Sequence, residues 1–180
     1  MAVGEREYHA AGVAAGDPLA GSRIDPWGHL IHVQVARLGP LDARVGYFDE
    51  EDCLGNAVSD IVESGGLETV ELIRAAGGTA EFFQLDVADA DAVDRTVEAV
   101  VARFGRLDVA HNNAGIESEH TPTADATLHD WRRVIEVDLN AVFYCIRAEV
   151  AVMRRQGGGA IINTASAASL IAGYHSGPYT

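Results

Sequence analysis

Apolar and polar positions follow two rhythms along this chain, one with the period of a strand and one with that of a helix. Leu30–Ala36 alternates with period two. Ala57–Ile61 reads as the end of a second strand, and Leu67–Ala76 as a helix stopped by Gly77 and Gly78. Ala80–Leu85 is strand-like and ends at Asp86. Apolar residues at 93, 97, 100, 101 and 104 form a helical stripe over Asp89–Phe104, closed by Gly105. Leu107–Ala110 is a short strand that runs into His111-Asn112-Asn113-Ala114-Gly115. A long helix follows over about 130–155, with Trp131, Val134, Ile135, Asp138, Val142, Ile146 and Met153 on one broad face. Ala160–Ala165, short and mostly apolar behind Gly157-Gly158-Gly159, reads as a buried strand. Strands alternating with helices predict an α/β fold. Its doubly wound sheet has parallel strands near 30–36, 56–60, 80–85, 107–111 and 160–165, with helices on both faces.

Residues 1–28 carry Gly, Ala, Pro and charges without a period and read as an irregular, flexible N-terminal segment. Gly12, Gly16 and Gly21 do not follow a strand, so they make no phosphate loop. The stretch after the first predicted strand, Arg37–Gly46, offers only Gly39 and Gly46. Pro40 in that stretch lacks a backbone N–H, whereas phosphate binding needs bare N–H groups at a helix start. The predicted domain therefore spans 29–180.

Composition narrows the function. A length of 180 residues and an apolar fraction of 48% suit one domain with a sizeable core. A formal net charge of −14 argues against a nucleic-acid phosphate partner. Asp49–Asp52 is a solvated acidic turn rather than a metal site. Cys53 and Cys145 have no metal-ligand spacing and fit a reduced, cytoplasmic setting. No leader pattern opens the sequence, and no apolar run approaches the ~20 residues of a membrane span. His111, His120, His129 and His175 form no metal-ligand pattern and read as solvated loop or sheet-edge residues.

The candidate chemistry lies near the end. Ser166 stands where the last predicted strand runs out, and Tyr179 comes thirteen positions later. A serine at a strand's carboxyl end and a tyrosine beyond it can converge on one small polar substrate, at the edge where open parallel sheets bind ligands. With Asn112-Asn113-Ala114-Gly115 upstream, this arrangement resembles the short-chain dehydrogenase/reductase family over about residues 57–180. The resemblance implies a Rossmann-like sheet, incomplete at the C-terminus, and hydride transfer between a nicotinamide cofactor and an alcohol or ketone. It also implies a homo-oligomer built on the 130–155 helix.

By that resemblance, Ser166 orients the substrate oxygen and Tyr179 transfers the proton. A free tyrosine has a pKa of about 10 and is a poor base at neutral pH. Family members add a Lys in a Y-x-x-x-K motif, whose ammonium lowers that value. This sequence ends at Thr180 and has no lysine at all, its thirteen basic residues being arginine. An irregular start and an early stop suggest a gene-model artefact or a fragment, and little or no turnover is expected of it. The alternative is a non-catalytic interaction module that dimerises through the 130–155 helix. Asp138 falls where the family commonly has an Asn that holds a helix kink and a relay water. The residue also suits a semi-buried acid paired with an arginine such as Arg133. Asn112, Ala114 and Gly115 would let a cofactor approach the backbone, the other reading being an ordinary turn. Asp86 and Val87 would flank adenine, or Asp86 would cap the next helix, a task Asp89 fills equally well. Asp60 would bond the adenosine ribose and repel a 2′-phosphate, favouring NAD over NADP, or it is a turn or capping aspartate.

Overall fold

The computed structural model describes residues 31–33, 55–119, 121–170 and 177–179. The N-terminal segment, the Arg37–Gly46 stretch, the acidic turn, Cys53, His120 and His175 lie outside the described residues.

Among the described residues the elements run β1 Ile31–Val33, β2 Asn56–Asp60, α1 Glu63–Ala75, β3 Ala80–Gln84, α2 Ala90–Phe104, β4 Val109–Asn112, α3 Leu128–Ile135, α4 Ala141–Gln156 and β5 Ala160–Asn163, with strands and helices alternating from β2 to α3. The pairs β2–β3 and β4–β5 are parallel, in the registers Asn56↔Ala80 and Val109↔Ala160. The expectation of a parallel first strand is corrected. β1 pairs antiparallel with β2, with His32 opposite Val58. A parallel neighbour requires a crossover, usually a helix, whereas antiparallel strands can be joined by any loop. β1 also lies beside β4, so it bridges the two parallel pairs.

Helices cover both faces, as the alternation predicts. Ala57 and Val58 are successive and fully buried, yet they belong to different clusters. Val58 packs with Val70 of α1 and Ala80. Ala57 packs with Val93, Val97, Val100 and Phe104 of α2 and with Ala141, Cys145, Ala148 and Val152 of α4. Burying each large side chain of the α2 stripe is worth about 1.5–3 kcal/mol. That burial outweighs the weak helix propensity of its four valines.

The helix ends follow local chemistry. Asp89 caps α2 by accepting from the N–H groups of Asp91 and Ala92 at 3.0 Å. Gly105 closes α2 at φ 84°, a left-handed conformation that glycine adopts without strain. α1 begins at Glu63, a turn earlier than Leu67, because Gly65 and Gly66 are accommodated in its first turn. A Cβ on Gly66 would run into the Phe82 ring, so close packing on β3 repays the poor helix propensity there.

The long helix expected over 130–155 is interrupted. Glu136–Asn140 forms a π turn between α3 and α4. The extra residue changes the phase of the apolar face. Val134 and Met153 are buried, but Trp131 is 50% exposed. The outward stripe is instead Leu139, Phe143 and Val150. The Gln156 side chain fastens the end of α4 to β4 by bonding the backbone N–H and C=O of Leu107.

Candidate functional site

The carboxyl ends of β2, β3 and β4 open onto a cleft of about 310 Å³. Asp86, Val87 and Ala114 line it, three of the residues singled out in the sequence. Ile61, Leu85, Ala88, Ile116, Arg133 and Val137 complete the wall. Ile61 and Leu85 directly follow β2 and β3, Ala88 and Ile116 lie in the loops after β3 and β4, Arg133 is on α3 and Val137 is in the π turn, so no single period in the sequence groups them. A second, much smaller cavity shares Val87, Ala114 and Val137 with the cleft and reaches Asn112 and Cys145.

Asp60 lies at the end of β2 and is 4% exposed. Its Oδ1 accepts from Val62 N–H at 2.7 Å, just ahead of α1. The turn role is therefore filled, and Ile61, the residue after β2, lines the cleft in its place. Asp86 likewise makes a turn, accepting from Ala88 N–H at 3.0 Å, while Asp89 takes the helix cap. Asp86 is exposed on the cleft rim, and Val87 is buried beneath it.

The Asn112–Gly115 segment is held from several sides. Asn112 is buried, and its Nδ2 donates to Glu149 Oε2 at 3.1 Å and to Asn163 Oδ1 at 2.9 Å. Its two N–H bonds are thus used, and its Oδ1 has no hydrogen-bond partner. Glu149 is 1% exposed, and burial pushes its carboxyl up to about 7, with the Asn112 bond opposing that shift. Burial, reinforced by Glu149, pushes the neighbouring Cys145 thiol up to about 12. On the other side of the strands, Thr164 Oγ1 lies 2.8 Å from His111 Nε2 and donates to Asn113 Oδ1 at 2.6 Å. His111 is thus tied to β5 and is not a solvated edge histidine. Burial lowers its pKa.

Asp138 sits inside the π turn. Its Oδ1 accepts from Ile116 N–H at 2.9 Å, which anchors the loop after Gly115. Its Oδ2 is buried without a hydrogen-bond partner. Burial raises the Asp138 pKa, opposed by the Ile116 bond and the Arg133 charge. Arg133 does not pair with Asp138. It donates to Asp130 Oδ1 and to the Glu117 carbonyl, both at 2.8 Å. Asn140 faces elsewhere, donating to Glu136 Oε2 at 2.7 Å.

Ser166 follows β5 and caps the short turn Ala167–Ser169 by accepting from Ala168 N–H at 3.2 Å. That bond occupies a lone pair and leaves the hydroxyl proton available to a substrate oxygen. Tyr179 is half-buried in the turn 177–179, whose Gly177 lies against Thr123. No hydrogen bond joins Ser166 and Tyr179 among the described residues. The structure thus gathers Asp86, Val87 and Ala114 at one cleft, keeps Asp60, Asn112 and Gly115 off its lining, and leaves the serine and the tyrosine on separate segments.

The described residues fit one end of a nicotinamide dinucleotide. Apolar walls from Ile61, Val87, Ile116 and Val137 suit a flat base, and Asp86 supplies a carboxylate at the rim.

Known proteins point the same way. The family model described as short chain dehydrogenase matches residues 48–180. A cyclohexanol dehydrogenase of Acinetobacter sp. (strain SE19) is 45% identical over 114 residues, covering 63% of this chain and 45% of the relative. The crystal structure of NAD+-bound xylitol dehydrogenase superposes with a TM-score of 0.67 at 30% identity, covering 68% of this chain and 47% of that one. An actinorhodin polyketide ketoreductase with NADPH gives 0.65 at 32% identity, with 68% and 48% covered. The chain spans a little under half the length of these proteins.

Proposed function

Because the chain belongs to the short-chain dehydrogenase family, we propose that it supplies the nicotinamide-binding and substrate-orienting part of an oxidoreductase acting on an alcohol or ketone. The supporting observation is the cleft at the strand ends, where Asp86, Val87 and Ala114 meet. In this reading Ile61, Val87 and Val137 enclose the adenine and Asp86 bonds its edge. Asn112, Ala114 and Gly115 would hold the dinucleotide close to the backbone after β4. A bound nicotinamide would accept or return hydride. Ser166 donates its free hydroxyl proton to the substrate oxygen, and Tyr179 exchanges the proton released or taken up there. Asp138 keeps the Ile116 loop in place beneath the cofactor. A cytoplasmic setting belongs to the same reading, and no described helix is long and apolar enough to cross a membrane.

NAD is the proposed cofactor, because the Asp60 carboxylate sits at the end of β2 and would repel a 2′-phosphate. Calorimetric titration with both dinucleotides tests this. NAD is expected to bind about tenfold more tightly or better, the effect of ~1.4 kcal/mol of charge repulsion. Tighter binding of NADP overturns the choice.

A second reading, association of this chain with itself or another protein, is favoured by the exposed stripe Leu139, Phe143 and Val150, of which Phe143 is 63% exposed. Sedimentation of the wild type should then show a dimer that Phe143→Glu dissociates. A monomeric wild type removes this reading.

A further inference from the structure

We propose that His111 is a positioning residue for the loop that carries Ser166, acting through Thr164. The proposal rests on the role assigned above to Ser166 and adds the device that places it. β4 and β5 run in register to Asn112↔Asn163, and the backbone ladder ends with Thr164 N–H donating to the Asn112 carbonyl at 2.9 Å. Beyond that bond the chain leaves the sheet, and Ser166 comes two residues later. The Thr164 side chain is the last fixed point before the serine.

Two residues of β4 and its continuation hold it. His111 Nε2 is 2.8 Å and Asn113 Oδ1 is 2.6 Å from Thr164 Oγ1. A hydroxyl has one proton to donate. The Asn113 oxygen can only accept, so the Thr164 proton goes there. His111 must then donate, which places its proton on Nε2 and leaves Nδ1 bare. Burial favours the neutral ring, in agreement with that single proton. The opposite face of the same strand ends is fastened separately by Asn112, Asn163 and Glu149. Removing the imidazole therefore takes away one of the two side-chain bonds on the Thr164 hydroxyl and loosens the serine loop, while the bond to Asn113 and the sheet pairing remain.

The test uses the whole chain and three variants. Nitrogen NMR of the wild-type imidazole should show the neutral Nε2–H tautomer at neutral pH, and this measurement needs no substitution. His111→Phe keeps a ring but removes the donor, and Thr164→Val removes the relay. Both should displace the backbone amide signals of Ala165, Ser166 and Ala168. His111→Gln offers an amide N–H near the position of Nε2 and should return those signals toward wild type. With a measurable secondary alcohol substrate, His111→Phe should lower kcat ~10-fold, as expected for a displacement of well under 1 Å. Its dinucleotide affinity should be unchanged, and Gln should recover the rate. A proton found on Nδ1 overturns the proposal. So does a Ser166 amide indifferent to both His111→Phe and Thr164→Val, or a Gln variant no better than Phe. Failure of the functional reading is distinct: the tautomer and amide shifts stand, but the wild type binds neither dinucleotide.

Discussion

Glu149 is the residue whose placement is hardest to anticipate and simplest to test. A glutamate on a helix is ordinarily solvated. Here it falls on the buried stripe of α4, one position from Ala148 and four from Cys145, and is 1% exposed. Its spacing was visible in the sequence, but an inward carboxyl becomes intelligible only once Asn112 is seen to donate to it. The raised pKa has a defined consequence for stability. The unfolded carboxyl loses its proton near 4.5, and the folded one near about 7. Between these values the folded chain binds more protons than the unfolded chain, so stability falls as pH rises through that window and levels off above it. At ~1.4 kcal/mol per pKa unit, the loss above neutral pH is on the order of 3 kcal/mol. Glu149→Gln keeps an oxygen for Asn112 but carries no charge. It should melt higher than the wild type at about pH 8 and match it near pH 4. Parallel melting curves across that range would dismiss the buried carboxylate as a source of instability.

At the scale of elements, α2 was legible to within a residue because its cap, stripe and terminal glycine all agree. The π turn was not. The apolar period of 130–155 does not announce it; only the resemblance, which puts a helix kink at Asp138, pointed there, and Asp138 Oδ1 accepts from the distant Ile116 N–H within the turn. The local clue was a polar residue on an otherwise apolar face. The antiparallel β1 escaped for a similar reason: strand direction depends on the connection, not on the alternation within the strand. The anchoring role of Asp138 predicts a graded pair of variants. Asp138→Ala leaves the N–H of buried Ile116 without its acceptor and should cost about 1–3 kcal/mol. Asp138→Asn keeps the acceptor for Ile116 and removes the carboxylate charge that burial disfavours, so it should be at least as stable as the wild type at neutral pH. Urea midpoints measure both. Equal midpoints for Ala and wild type would remove Asp138 from the support of the loop.

At the scale of the whole molecule, the doubly wound arrangement and the Asn112–Gly115 and Ser166 positions were readable because parallel sheets put chemistry at strand ends. The cleft walls were less so, because Ile61, Ile116 and Val137 meet only through folding. The same view sets an expectation for catalysis. Ser166 is anchored and has a proton to give, whereas Tyr179 lies in a turn against Thr123 with no hydrogen bond to Ser166. The 180 residues also contain no lysine to assist Tyr179 or to hold a nicotinamide ribose. Misplacement of reacting groups by ~1 Å costs about a hundredfold. Loss of a proton-transfer partner costs roughly 10²–10⁴. Both act on one step and need not multiply, yet either alone brings the rate toward background. Assayed by NADH formation with a panel of secondary alcohols, these residues alone should turn over slowly, and Tyr179→Phe should change the rate little. A robust wild-type rate that disappears in Tyr179→Phe would show that the tyrosine reaches Ser166 when cofactor and substrate are bound, and that an arginine or water takes the place assigned to lysine.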